Sequence, residues 1–276
     1  MVEYQQKDRY NIDDLLDIMR LLRSEGGCPW DREQTHASIK SDFIEETCEV
    51  IEAIDLKDTA LLREELGDVL LQVVFHCRIE EEAENFRFDD VCDEVCKKLI
   101  IRHPHVFGEV KADTSDQVLK NWDAIKMQTK GQETYTDTLK SVAKSLPALM
   151  RAQKVGKRAM RAGMDFRTAE DAVACIANEK AELDAAVISG NKADIEEELG
   201  DLLFSCVNAA RHLGIDAEQA LKDSTEKFIK RFSVTEELVR KDDIDMKSLP
   251  IEELDVYWDK AKNIINKSED NENDKD

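Results

Sequence analysis

REELGDVLLQVVFHCR, residues 63–78, and EEELGDLLFSCVNAAR, residues 196–211, are two copies of one pattern. Eight of the sixteen positions are identical, and five of them form the unbroken block EELGD. Apolar residues in the first copy fall at Leu66, Val69, Leu70, Val73, Val74 and Cys77. In the second they fall at Leu199, Leu202, Leu203, Cys206, Val207 and Ala210. This i, i+3, i+4, i+7 spacing predicts an amphipathic helix in each copy.

The repeat extends in both directions. Upstream, EETCEVIEAI (45–54) stands where NEKAELDAAV (178–187) stands in the second copy, and Ile44, Cys48, Ile51 and Ile54 make a second helical stripe. The step from Glu49 to Glu65 equals the step from Glu182 to Glu198, 16 residues. Downstream, KLIIRH (98–103) answers KFIKRF (227–232), and NWDAIK (121–126) answers YWDKAK (257–262). Four blocks in one order predict two homologous units, 11–128 and 147–266, joined by a linker over 129–146 and followed by a disordered acidic tail over 267–276. The links LKDTA and SGNKAD are short enough to make each helix pair an antiparallel hairpin within a bundle. The fold class expected is all-α, with two tandem helical-bundle units.

Composition agrees. Ten Gly and four Pro in 276 residues argue against sandwiches and barrels. Sixty-one acids against 39 Lys and Arg give a net charge of −22, which disfavours free nucleic acid as a partner. No apolar run reaches membrane-spanning length and the N-terminus lacks a signal-peptide core, so no membrane partner is expected. Seven cysteines, an odd number set mostly in apolar stripes, predict reduced, buried thiols in a cytoplasmic protein.

The acids carry the chemistry. Glu46 and Glu49 are three apart, so they share a helix face, as do Glu65 and Asp68. Antiparallel packing brings all four to one height. Glu179, Glu182, Glu198 and Asp201 repeat the arrangement, while Asn178 stands where the first copy has Glu45. Converging carboxylates repel unless cations bind them or their pKa values rise. All-oxygen ligation selects Mg²⁺ or Mn²⁺, and no Glu-x-x-His pair favours iron. Such acid pairs are also common on solvated faces; their repetition at fixed spacing, beside the apolar stripe, favours a site.

Cations repeat as well. Lys98 and Arg102 match Lys227 and Arg231 at i, i+4, and Trp122 with Lys126 matches Trp258 with Lys262. Lys and Arg suit phosphates, and Trp suits a base or an interface. His103 and His105 lack counterparts in the second copy and read as structural. Gly67 and Gly200, inside helices, predict close approach by another helix or a ligand.

With GGCPWD (26–31), EETCE (45–49), ELGD (65–68), RHPHVF (102–107), SLPALMRAQKVGKRA (145–159) and the second ELGD (198–201), the chain resembles the MazG family over roughly 11–265. That family belongs to the all-α nucleoside triphosphate pyrophosphatases. The resemblance implies Mg²⁺-dependent cleavage of nucleoside triphosphates between the α and β phosphates, giving a monophosphate and pyrophosphate, by a homodimer. It implies metal ligation by Glu46, Glu49, Glu65 and Asp68, and by Glu179, Glu182, Glu198 and Asp201. It makes Lys227, Arg231, Trp258, Lys262, Lys98, Arg102, Trp122 and Lys126 nucleotide contacts, and it favours the second unit as the main site. Asn178 departs from the family's EExxE pattern and puts only the outer acid in doubt.

Glu46 and Glu179 are the expected proton acceptors for the attacking water, Mg²⁺ being the expected cofactor and Mn²⁺ a substitute. Two other readings share these residues. One is a pyrophosphatase restricted to dUTP or modified nucleotides; the other is a non-catalytic acidic helical scaffold.

Overall fold

The computed structural model describes residues 4–111, 114, 117, 118, 122, 125 and 133–273, with side chains as far as 267. The described residues form helices and no strand, as the periodicity predicts. The chain divides into two compact units, Met1–Lys126 and Met127–Asp276.

The first unit contains α1 (Ile12–Leu22), α2 (Pro29–Glu33), α3 (Lys40–Leu56), α4 (Thr59–Glu82), α5 (Phe88–Arg102) and α6 (Pro104–Phe107). α3 and α4 are the expected hairpin. Its turn is two residues long: Lys57 adopts the left-handed conformation (φ 56°), and Asp58 caps α4. The Asp58 carboxylate accepts from the Ala60 and Leu61 amides at 2.9 and 3.1 Å, satisfying two of the orphan donors at the helix start. α1 lies across α4. Met19, Ile39, Val74 and Phe75 form the buried core between them, lined by Leu15, Leu16, Leu71, Ile79 and Phe88. Burying each such side chain contributes about 1.5–3 kcal/mol.

The second unit contains α7 (Tyr135–Lys140), α8 (Ala148–Arg161), α9 (Ala169–Ser189), α10 (Lys192–His212), α11 (Ala217–Lys241) and α12 (Ile251–Asn273). The α9–α10 hairpin repeats the first turn with Gly190 left-handed (φ 73°) and Asn191 as cap. Gln153 fastens α8 to the start of α11: its Nε2 donates to the Ile215 carbonyl (2.8 Å) and its Oε1 accepts from the Ala217 amide (3.2 Å).

The structure adds to three expectations. Within the stretch 129–146, Tyr135–Lys140 is a helix packed on α8. Thr134 and Asp137 cap each other reciprocally, and Val142 is buried behind them. α12 runs on to Asn273, into the stretch expected to be an acidic tail. No Gly or Pro interrupts that stretch, and Ala261 and Ile265 anchor its near end in the core. Finally, of the seven free cysteines only Cys77 is buried; Cys48, Cys96 and Cys206 are exposed. Part of each apolar stripe remains uncovered within its own unit: Ile44, Ile51, Ile54, Leu66 and Leu70, and Leu199 and Leu203, are exposed.

Candidate metal centre

The α3–α4 turn sets the register that brings Glu46 and Glu49 opposite Glu65. Each offers a carboxylate oxygen, and these oxygens lie within 4.8 Å of one another. Glu179, Glu182 and Glu198 do the same on the α9–α10 hairpin. Two independent hairpins, closed by equivalent two-residue turns, thus assemble one trio twice. Glu65 is only 8% exposed, at the rim of the core.

The trios are electrostatically strained. Burial holds the Glu46 carboxyl above its ordinary value, and the charges of Asp68 and Glu49 push it further. Burial and then Glu49 do the same to Glu65. In the second unit burial, then Glu182 and Asp201, raise Glu198. None of these six glutamates forms an ion pair among the described residues. Converging hard oxygen donors with no cationic partner fit Mg²⁺ or Mn²⁺.

Asp68 and Asp201 stand outside the trios of oxygens within 4.8 Å, although each charge is felt by a member of its trio. Asn178 is exposed. Gly67 and Gly200 do not mark close approach by a helix, because among the described residues nothing lies within 4 Å of where a Cβ would stand at either. The Cys175 thiol donates to Glu179 Oε1 at 3.5 Å, a neighbour that sequence reasoning did not single out.

The cations divide into several environments. Lys98 and Lys227 are exposed. Arg102 lies 5.5 Å from the Trp122 ring centre, and His103 meets the same ring edge-on at 4.9 Å. His103 also binds the Leu99 carbonyl through Nδ1 (2.7 Å), which fits its structural reading. Trp258 packs on Phe228 at 5.1 Å, and Lys262 pairs with Asp259 at 2.6 Å. Arg231 has a buried Nε with no hydrogen-bond partner among the described residues. Lys126 lies outside the described residues.

Residues 34–107 and 167–233 each match the MazG nucleotide pyrophosphohydrolase domain. The second match covers the acidic trio on α9 and α10, and the first covers the trio on α3 and α4. The chain belongs to the MazG family. It is 45% identical over 251 residues to the nucleoside triphosphate pyrophosphohydrolase/pyrophosphatase MazG of Thermotoga maritima, covering 91% of this chain and 95% of that one. It is 43% identical over 254 residues to the nucleoside triphosphate pyrophosphohydrolase of Escherichia coli, covering 91% and 97%. An uncharacterized Bacillus subtilis protein, YabN, is 40% identical over 252 residues, covering 91% of this chain and 51% of its own length. Both copies of the repeat are therefore MazG domains in one chain.

Proposed function

We propose that this MazG protein hydrolyses nucleoside triphosphates, ribo- or deoxyribo-, between the α and β phosphates, releasing a monophosphate and pyrophosphate. The observation that carries the proposal is the acidic trio built twice, with the Glu46, Glu65 and Glu198 carboxyls held above their ordinary values by burial and by neighbouring acids. Glu46, Glu49 and Glu65, joined by Asp68, hold Mg²⁺ in the first unit; Glu179, Glu182 and Glu198, joined by Asp201, hold it in the second. Bound there, Mg²⁺ supplies Lewis-acid charge to the phosphate oxygens and acidity to the attacking water.

The protein's own groups do the rest. The carboxylates position water and triphosphate in line. Glu46 and Glu179 accept the proton as the water oxygen bonds to the α phosphorus, and the bridging oxygen leaves with pyrophosphate. Lys227 and Arg231, with Lys98 and Arg102 in the first unit, contact the phosphates. Trp258 and Trp122 flank the base, supported by Lys262 and Lys126. The protein works as a homodimer, in which a second copy covers the exposed stripes of the hairpins; separately, each such stripe is an apolar patch of the kind that marks an interface.

The test uses carboxylate variants. Glu65→Gln and Glu198→Gln, each alone, should remove the turnover of their own unit, and together should abolish Mg²⁺-dependent turnover while leaving the helical circular dichroism unchanged. Full turnover in the double variant would remove the carboxylates from the mechanism.

A further inference from the structure

Residues 34–39 lead from α2 into α3, the helix that carries Glu46 and Glu49. His36, within this segment, reaches across to α4. Its Nδ1 lies 2.6 Å from His76 Nδ1, and its Nε2 lies 2.5 Å from Glu80 Oε1. Asn85 Nδ2 donates to the other Glu80 oxygen at 2.7 Å. The two imidazole planes are 11° apart with centres 4.9 Å apart. That separation is the N···N distance extended by one ring radius at each end. The rings therefore meet edge to edge, nearly coplanar, with the two nitrogens in line.

Two imidazole nitrogens at this distance share one proton. With none the lone pairs repel, and with two the N–H groups do. A transition metal needs about 2.0–2.1 Å to each nitrogen, so the gap admits a proton and no ion. The hydrogen-bond network assigns the tautomers: His76 Nδ1–H donates to His36 Nδ1, and His36 Nε2–H donates to the Glu80 carboxylate. A further proton is accommodated at His76 Nε2 without breaking either bond. The next must go onto His36 Nδ1, where it faces the proton already on His76.

We propose that His36, His76 and Glu80 form a proton-operated clasp that fastens the entrance of α3 to α4 and opens when both imidazoles are charged. The titratable groups facing it among the described residues are these three. α3 contributes the ring of Phe43, edge-on to His76 at 5.8 Å, and the turn after α4 contributes Asn85. Burial, and then His36, hold the His76 pKa below its ordinary 6.5, so the closed state is favoured above that value and weakens as pH falls below it. Asn85 and His36 hold Glu80 low, so its anchoring bond outlasts the imidazole bond on acidification.

The second unit fastens the corresponding segment differently. Asp165, in the link that enters α9, binds the Arg211 guanidinium through both oxygens and accepts from or pairs with His212 Nε2 at 2.8 Å. Arg211 and its neighbours hold Asp165 down to about 2. This join keeps its charges where the first one loses its shared proton geometry. Acidification therefore loosens the metal-bearing hairpin of one unit and leaves the other closed.

Hydrogen–deuterium exchange of the full-length protein, in EDTA so that no metal contributes, tests this at several pH values with intrinsic exchange rates divided out. The protected amides of Ser38, Ile39 and Phe43 report on the first join, and those of Met164 and Ala172 on the second. Below the onset the first group should lose protection by about tenfold or more per pH unit, because the open state holds at least one proton more than the closed one; the second should change less than twofold. His36→Gln and His76→Gln should each flatten the response. His36 is exposed, so its variant keeps the fold even if the other does not. An equal response in both units, or a pH response that persists in His36→Gln, would overturn the clasp. Because the readout is metal-free and needs no turnover, it stands apart from the proposed activity.

Discussion

Glu65 is a carboxylate at the edge of a core, beside two others and in no ion pair among the described residues. Its repulsion must be relieved by a cation or a proton, so 5 mM Mg²⁺ should raise the melting temperature of the wild-type protein at pH 7.5. The gain should fall in Glu65→Gln and vanish in Glu65→Gln/Glu198→Gln; a gain undiminished in the double variant would place the ion elsewhere. Asp165 gives the opposite case. Its folded pKa, about 2, lies below the ordinary 3.8, so its contribution to stability is complete above the ordinary value and is lost as pH falls through about 2. Asp165→Asn should cost about 2 kcal/mol at pH 7, since it strands a nearly buried Arg211, with the difference from wild type shrinking toward pH 2. Urea titrations across that range check it. The acids were legible in the sequence because their three-residue spacing recurs. The clasp was not: His36 and His76 are 40 positions apart, and the second copy has Ala169 and Ala209 in their places, so comparing the copies hides it.

At the scale of elements, the two hairpins pose one conformational problem and answer it with different residues. Both need a left-handed residue followed by a capping side chain. The second copy uses Gly190, and the first uses Lys57, whose Cβ makes that conformation unfavourable by roughly 1–2 kcal/mol. Lys57→Gly should therefore stabilise the first unit, offset in part by greater freedom of the unfolded chain, for a net gain of a few tenths to about 1 kcal/mol. Gly190→Ala should destabilise the second by about 1 kcal/mol, and Asp58→Ala should cost about the same through loss of the cap. Chemical denaturation of the three variants measures these shifts. The hairpins were readable because the apolar period and the short links agree. α7 was missed because its stretch is polar, and its existence depends on a Thr134–Asp137 capping box and on contact with α8. Acidic composition does not mark where α12 ends, because nothing in 251–273 breaks a helix.

At the scale of the whole molecule, the sequence predicted apolar stripes but could not say which of them the chain itself covers. Val74, Cys77 and Val207 are buried within their units, whereas Ile44, Leu66 and Leu203 are exposed. If another copy covers the second group, as proposed, the protein is a dimer of 31.5 kDa chains. Light scattering should give twice that mass, and Leu66→Glu with Leu203→Glu should shift it toward one chain; a monomer in the wild type would contradict this. The net charge of −22 also sets a condition on activity, since a polyanionic substrate approaches an acidic protein only with a cation between them. The most direct test is phosphorus NMR of the purified protein with nucleoside and deoxynucleoside triphosphates in Mg²⁺, alongside an EDTA control. The predicted result is monophosphate plus pyrophosphate, formed with Mg²⁺ and absent with EDTA. Diphosphate plus orthophosphate would contradict α–β cleavage, and undiminished turnover in EDTA would contradict the metal centre.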